Sequence, residues 1–170
     1  MPRTRQAIRL FLAAAAVLIC ASAAAGPPDL AIEREVAASV NRHRVELGLA
    51  PLAWSDDAAE LARAHSRDMA AGRVGLGHDG FAERWRSLPS ELGASAAAEN
   101  VLRQRRPGGS VGDVALAQWL TSAVHRRNLE GPFQLAGVGA ARGADGSLYL
   151  TQIFVGVREG ARSAPPSPPD

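Results

Sequence analysis

The chain has 170 residues, 46% of them hydrophobic, which suits one packed domain and leaves too little for a second core. Aromatic residues are only 5%, so Trp54, Trp85 and Trp119 stand out as core anchors or cleft walls. The formal net charge is +2, but three of the 19 basic residues, Arg3, Arg5 and Arg9, fall in the first 25 positions; the 16 that remain face 17 acids, which excludes the net basic face of a nucleic-acid binder.

Those first 25 residues read as a secretory signal peptide. A basic start precedes the apolar run Leu10 to Ile19, and Ala23-Ala24-Ala25 supplies the small residues of a cleavage site. The apolar stretch is shorter than the roughly 20 residues needed to span a bilayer, although an uncleaved anchor is the alternative. The expected product is secreted or periplasmic and soluble, with no transmembrane segment after cleavage. The only cysteine, Cys20, lies in the signal region, so the mature chain has no disulfide.

The predicted domain covers residues 26–160. Leu30 to Leu47 carries Ile32, Val36, Val40 and Leu47 at helical spacing, and Gly48 ends it. A loop leads to Trp54, and Ser55 or Asp56 caps a second helix with Ala58, Leu61, Ala62, His65 and Met69 on one face, ended by Gly72. A short helix is expected from Phe81 to Leu88 and a short strand from Ala98 to Leu102. Ser110 opens a helix that runs to Ser122 and buries Val114, Ala117 and Leu120, with Trp119 near that face. A helical turn follows from His125 to Leu129. Leu135 to Arg142 and Ser147 to Val155, around Gly143-Ala144-Asp145-Gly146, read as an antiparallel hairpin. Residues 161–170 form a disordered Pro-rich tail. The fold class is α+β, with helices packed on an antiparallel sheet.

Three residues carry the chemistry. His78 sits among Gly75, Gly77 and Gly80, where the backbone can turn and present a side chain. Glu99 lies in a run of small residues, where a buried carboxylate needs a partner. His125 starts a helical turn. Two imidazoles and a carboxylate suit Zn²⁺ or another divalent cation with an open position for water, or acid–base work without metal. His65, on an apolar helix face, reads as structural or as the cleft floor, and His43 as a solvated or half-buried helix residue. Ser122 could share a face with His125, without the surroundings of a nucleophile. No phosphate loop or dinucleotide fingerprint is present, so no organic cofactor is expected.

Several blocks resemble the CAP superfamily, which includes cysteine-rich secretory proteins, insect antigen 5 and plant pathogenesis-related proteins. They are Val40-Asn41-Arg42-His43-Arg44, Leu49 to Trp54, Ala64 to Ala70, Gly77-His78-Asp79-Gly80-Phe81, Ala98-Glu99-Asn100-Val101, Trp119 to Leu129, and Tyr149-Leu150-Thr151-Gln152-Ile153-Phe154. The resemblance, to the bacterial secreted branch, covers residues 32 to 156. It implies an α-β-α sandwich, a small antiparallel sheet with helices on both faces. It implies a cleft in which His78 faces His125, with Glu99 alongside; His65, Ser122 and Gln152 are further cleft candidates. Some relatives hold zinc at the paired histidines, and others bind sterols or fatty acids elsewhere. Partners in view are therefore a small ligand, a lipid or an envelope component. Three readings follow: a cleft that binds a divalent metal or small polar ligand, a hydrolase of envelope material with Glu99 as base, or a lipid- or protein-binding module with a vestigial cleft. Two departures bear on these: no second acid follows Trp119, and Val124 replaces a glycine common before the second histidine.

Overall fold

The structure, a computed structural model, describes residues 29–105 and 109–158. The expected signal peptide and Pro-rich tail lie outside the described residues. In chain order the elements are α1 (Leu30–Glu46), β1 (Ala53–Trp54), α2 (Asp56–Ala70), α3 (Phe81–Arg86), a 3-10 turn at Ser90–Leu92, β2 (Ala94–Gln104), α4 (Val111–Leu120), α5 (Ala123–Leu129), β3 (Leu135–Arg142) and β4 (Leu148–Val157).

The four strands form one sheet in the order β1-β3-β4-β2. Its three long strands are antiparallel, as expected, but β1 pairs in parallel with Leu135 and Ala136, so the sheet is mixed. A two-residue strand is too short to leave a period in the sequence. It is fixed instead by Ala53 N–H donating to the Gln134 carbonyl and Ser55 N–H to the Ala136 carbonyl, both at 2.9 Å. Strand β2 is longer than expected because β4 offers it a full-length partner; its alanines carry no alternation to read.

Helices α1, α4 and α5 pack on one face of the sheet and α2 on the other. On the first face Val36, Val40, Trp119, Leu129, Val138, Leu150 and Phe154 build the larger core. On the second, Ala58, Ala62, Ile153 and Val155 form a thinner one. It is thin because β3 turns Gly137 and Gly139 toward α2. A Cβ at Gly137 would stand 2.0 Å from the Ala59 nitrogen, and one at Gly139 2.1 Å from that of Arg63. The two glycines let the helix backbone lie directly on the strand.

Ser55, Ser110 and Ser122 each accept a backbone N–H from three residues ahead, capping α2, α4 and α5. Gly48 and Gly72 end α1 and α2 at positive φ, as expected. Two burial expectations fail. Leu47 lies past the end of α1 and is 53% exposed. Helix α4 buries Val111, Gly112, Ala115 and Trp119 and leaves Val114 and Ala117 exposed. The helix is turned by Gly112, whose missing Cβ lets it meet the α1 backbone at Glu35, and by Trp119, whose indole N–H reaches the Val101 carbonyl at 3.2 Å.

Glu33 of α1 is completely buried where β3 has no neighbour beyond β1. It accepts the Ala140 N–H at 3.3 Å and a bidentate hydrogen bond from Arg63 of α2 at 2.8–3.0 Å. The two helical layers are thus joined around one edge of the sheet.

Candidate functional site

The opposite edge of the sheet is β2, and the site forms there. Glu99 pairs with Ile153 of β4 and so points to the α2 face, where its side chain is 1% exposed. A carboxylate so placed must be paired and hydrogen-bonded. Arg84 of α3 provides the pairing, with Nε donating to Oε2 at 3.0 Å and Nη2 to Oε1 at 2.9 Å. The guanidinium is itself anchored, because Nη1 donates to the Asp79 carbonyl at 2.7 Å. Gly80 allows this: its φ of 75° opens α3, and a Cβ there would stand 3.3 Å from Arg84 Nη1.

His78 lies 3.0 Å by Nδ1 from Glu99 Oε1. An ionised carboxylate can only accept, so this nitrogen donates and Nε2 is the ring nitrogen that Glu99 does not engage. The His78 side chain is 49% exposed, and its loop is pinned from below by buried His65, whose Nε2 lies 2.8 Å from the Gly77 carbonyl. His65 therefore supports the loop rather than lining the cleft.

His125 reaches the same place from α5. Asn100 donates to its carbonyl at 3.2 Å, and Asn128 Nδ2 bonds Asn100 Oδ1 at 2.9 Å and the Glu99 carbonyl at 3.3 Å. The two asparagines hold α5 against β2 next to Glu99. The rings of His78 and His125 stand 6.3 Å apart between centroids, tilted by 59°. Partial burial, then the neighbouring His78, lowers the pKa of His125, so its ring is held in the neutral, lone-pair-bearing form. Among the described residues neither ring nitrogen of His125 nor Nε2 of His78 has a hydrogen-bond partner.

The sequence thus brings together His78, Glu99 and His125, 21 and 26 residues apart, as expected. Ser122 serves as the α5 cap, its hydroxyl accepting the backbone N–H of His125 at 3.5 Å. Gln152 does not join them. It lies beside Asn100 in the register, on the other face of the sheet from Glu99, and lines a separate cavity under α1. His43 pairs with Glu130 at 3.1 Å, away from the site. Arg84 was not anticipated; the signal was the buried acid itself, which demanded a cation. Asn100 and Asn128 stood in recognised blocks without a role.

Do these residues fit a divalent cation? Both Glu99 oxygens are engaged, so the acid stands behind the histidines and is not a third donor. No cluster of three or more His, Cys, Asp or Glu suited to a metal occurs among the described residues. Two imidazoles remain. Metal–nitrogen bonds near 2.0–2.1 Å in tetrahedral geometry place such centroids about 5 Å apart, so the observed gap is roughly 1 Å too wide. Shared coordination would require one of the two rings to move by about that distance. The donors fit an open two-imidazole site and not a closed structural one.

A helix–sheet–helix sandwich with two histidines and a buried glutamate beside its edge strand is the architecture of a CAP domain. The chain belongs to the cysteine-rich secretory protein family, whose profile matches residues 37–154. Solved structures agree. An extracellular protein containing an SCP domain from Bacillus anthracis is 28% identical, with a TM-score of 0.58 over 75% of this chain and 41% of that one. An outer surface protein from Borrelia burgdorferi is 16% identical, with a TM-score of 0.61 over 74% of this chain and 92% of that one. A cysteine-rich secretory protein from Staphylococcus aureus is 20% identical, with a TM-score of 0.56 over 74% of this chain and 38% of that one. The chain thus spans less than half of two of these proteins. Comparison with curated proteins gives no match. No helix among the described residues is long and apolar enough to cross a membrane.

Proposed function

We propose that the His78–His125 cleft binds a divalent cation such as Zn²⁺ loosely, with its remaining positions open to water or a small polar ligand. The observation that carries this reading is the pair of facing imidazoles with unpartnered nitrogens, one oriented by a buried carboxylate. His78 Nε2 and a nitrogen of His125 would be the ligands. Glu99 fixes the tautomer and direction of His78, and Arg84 fixes Glu99, the arrangement that outer carboxylates provide around metal-binding histidines. A bound cation would supply Lewis acidity to whatever occupies the open positions.

The hydrolase reading requires Glu99 to take a proton from water. The bidentate Arg84 and His78 occupy both its oxygens, and no second acid follows Trp119, which weighs against that role. Export from the cytoplasm is part of the proposal. It is supported by the signal-like residues 1–25 and by relatives described as extracellular or outer surface proteins.

The test is calorimetric titration of purified protein with Zn²⁺. Binding in the micromolar to millimolar range is expected, with loss in His78→Ala/His125→Ala. Undiminished binding in that double variant, folded by circular dichroism, refutes the assignment.

A further inference from the structure

Strand β2 pairs with β4 on one side only, and its other edge is open for a short stretch beside the histidine cleft. Two carbonyls show which groups face that edge. The Glu99 carbonyl accepts from Asn128 Nδ2 at 3.3 Å, and the Val101 carbonyl from Trp119 Nε1 at 3.2 Å, so both are turned away from β4. By the alternation of an antiparallel ladder, the N–H and C=O of Ala97 and the N–H of Glu99 point the same way. Among the described residues these three groups have no hydrogen-bond partner. Glu99 as a whole is 5% exposed and its side chain 1%, so the solvent that reaches it meets its main chain. Ser95 and Ala96 are exposed and Ala97 partly so, with side chains too small to shield the backbone.

An open edge is a template for an added strand, held by main-chain hydrogen bonds and selected by its alternate side chains. Here the template has a fixed end. Asn128 and Trp119 already occupy the next two carbonyls, so a strand laid along Ala97 stops at Glu99. It stops in the cleft. His78 reaches Glu99 from the α2 face and His125 is held by Asn100 from the other, so their rings meet around this edge. Charge decides which end of a peptide arrives there. An antiparallel strand would bring an ammonium, which a cation repels; a parallel one brings a carboxylate, which a cation attracts. Two exposed apolar side chains flank the point: Leu76, two positions before His78, and Val124, one before His125, at 55% and 54%. They belong to elements on opposite faces, as successive side chains of a strand do.

We propose, on the strength of the cation reading above, that this edge binds the C-terminus of an extended peptide as a parallel strand. The N–H of the last residue donates to the Ala97 carbonyl, and the Ala97 N–H donates to the carbonyl two residues earlier. The Glu99 N–H donates to the terminal carboxylate, which takes an open position on the cation. The last two side chains are apolar and meet Leu76 and Val124.

The probe is a pentapeptide of alternating valine and threonine, both strand formers, with fluorescein at its N-terminus and a free C-terminus. Anisotropy is followed on the full chain with saturating Zn²⁺. Saturable binding is expected. The same peptide with a C-terminal amide binds about tenfold more weakly, as does one N-methylated at its last residue, which loses one hydrogen bond. Ala97→Pro removes the outward N–H and sets a ring in the path of the added strand; that N–H makes no ladder bond, so the sheet tolerates the change. This variant binds Zn²⁺ as the native chain does and loses the peptide. If it fails to fold, the N-methylated peptide decides. His78→Ala/His125→Ala binds the free acid and the amide alike. Zn²⁺ binding with no peptide saturation by about 1 mM leaves the cation reading standing and overturns this one. Equal peptide binding by Ala97→Pro overturns it too, because the peptide then lies elsewhere. So does a dimer that takes no peptide, in which a second copy occupies the edge. A native chain that binds no Zn²⁺ overturns both readings.

Discussion

Among the described residues two glutamates are buried, each clasped by one arginine, at opposite edges of the same sheet. Glu33 has a side-chain exposure of 0% and its Arg63 of 13%; for Glu99 and Arg84 the values are 1% and 14%. The ion-pair distances are 2.8 and 2.9 Å. By charge, geometry and burial the two pairs are the same object, and they differ only in the third partner. Glu33 gives its remaining capacity to the backbone N–H of Ala140, so its hydrogen bonds close on the fold itself. Glu99 gives it to an imidazole that is half exposed and faces another imidazole. A buried acid is thus no mark of function by itself. It becomes one when its last lone pair is spent on a group that meets solvent.

The largest test of that contrast is Glu33→Ala. It strands Arg63, whose pKa is raised chiefly by its hydrogen bonds to Glu33, and leaves the Ala140 N–H without an acceptor. Breaking a buried pair by removing one partner costs about 3–5 kcal/mol. Urea unfolding should show a loss of that size, with Zn²⁺ affinity of the folded fraction unchanged. Glu99→Gln inverts the pattern. It keeps the shape, can still bond Arg84 and His78, and should lower Zn²⁺ affinity about 10- to 100-fold, the usual cost of an outer-shell change. A Glu99→Gln protein that binds the cation as tightly as the native chain would erase the distinction between the two edges. Smaller again is Ser122→Ala, which removes the α5 cap at a cost of about 1 kcal/mol. Were Ser122 more than a cap, Zn²⁺ affinity would move more than the melting temperature does.

The sandwich and the three main site residues were legible because their signals are local or carried by family-like blocks. Glycine-flanked His78, Glu99 among alanines and His125 at the start of a helical turn all announce themselves within a few positions. Arg84 did not. It lies in a short helix with Glu83 and Arg86, and nothing in Phe81–Arg86 distinguishes the arginine that turns inward from the one that stays in water. Only the tertiary requirement of Glu99 selects it. Strand β1 was hidden for a related reason, since two residues have no period and the partner is some eighty positions away. The face of α4 was misread because the sequence offers Val114 and Leu120 for burial, whereas backbone contact at Gly112 and the size of Trp119 settle the rotation. Gln152 was placed in the cleft through its neighbours in a recognised block, but strand alternation puts it on the opposite side from Glu99.

The finest test concerns protons. The pKa of His125 is lowered in the fold, so the unfolded chain binds its proton more tightly than the native one. Where the unfolded state holds more protons, stability rises with pH. The contribution is complete above the unfolded value near 6.5 and falls away as pH drops from there through the lower native value. Because the chain has four histidines, the quantity to measure is the difference between native protein and His125→Gln across pH 5 to 7, about where unperturbed histidine changes charge. The native protein should show the steeper gain in unfolding free energy as pH rises. Zn²⁺ should amplify that gain, since only neutral imidazole ligates and binding to the folded state alone adds stability. Equal slopes for the two proteins would mean that His125 is as well solvated folded as unfolded. The edge of the sheet at β2 would then hold its glutamate for the same purely structural reason as the edge at β3.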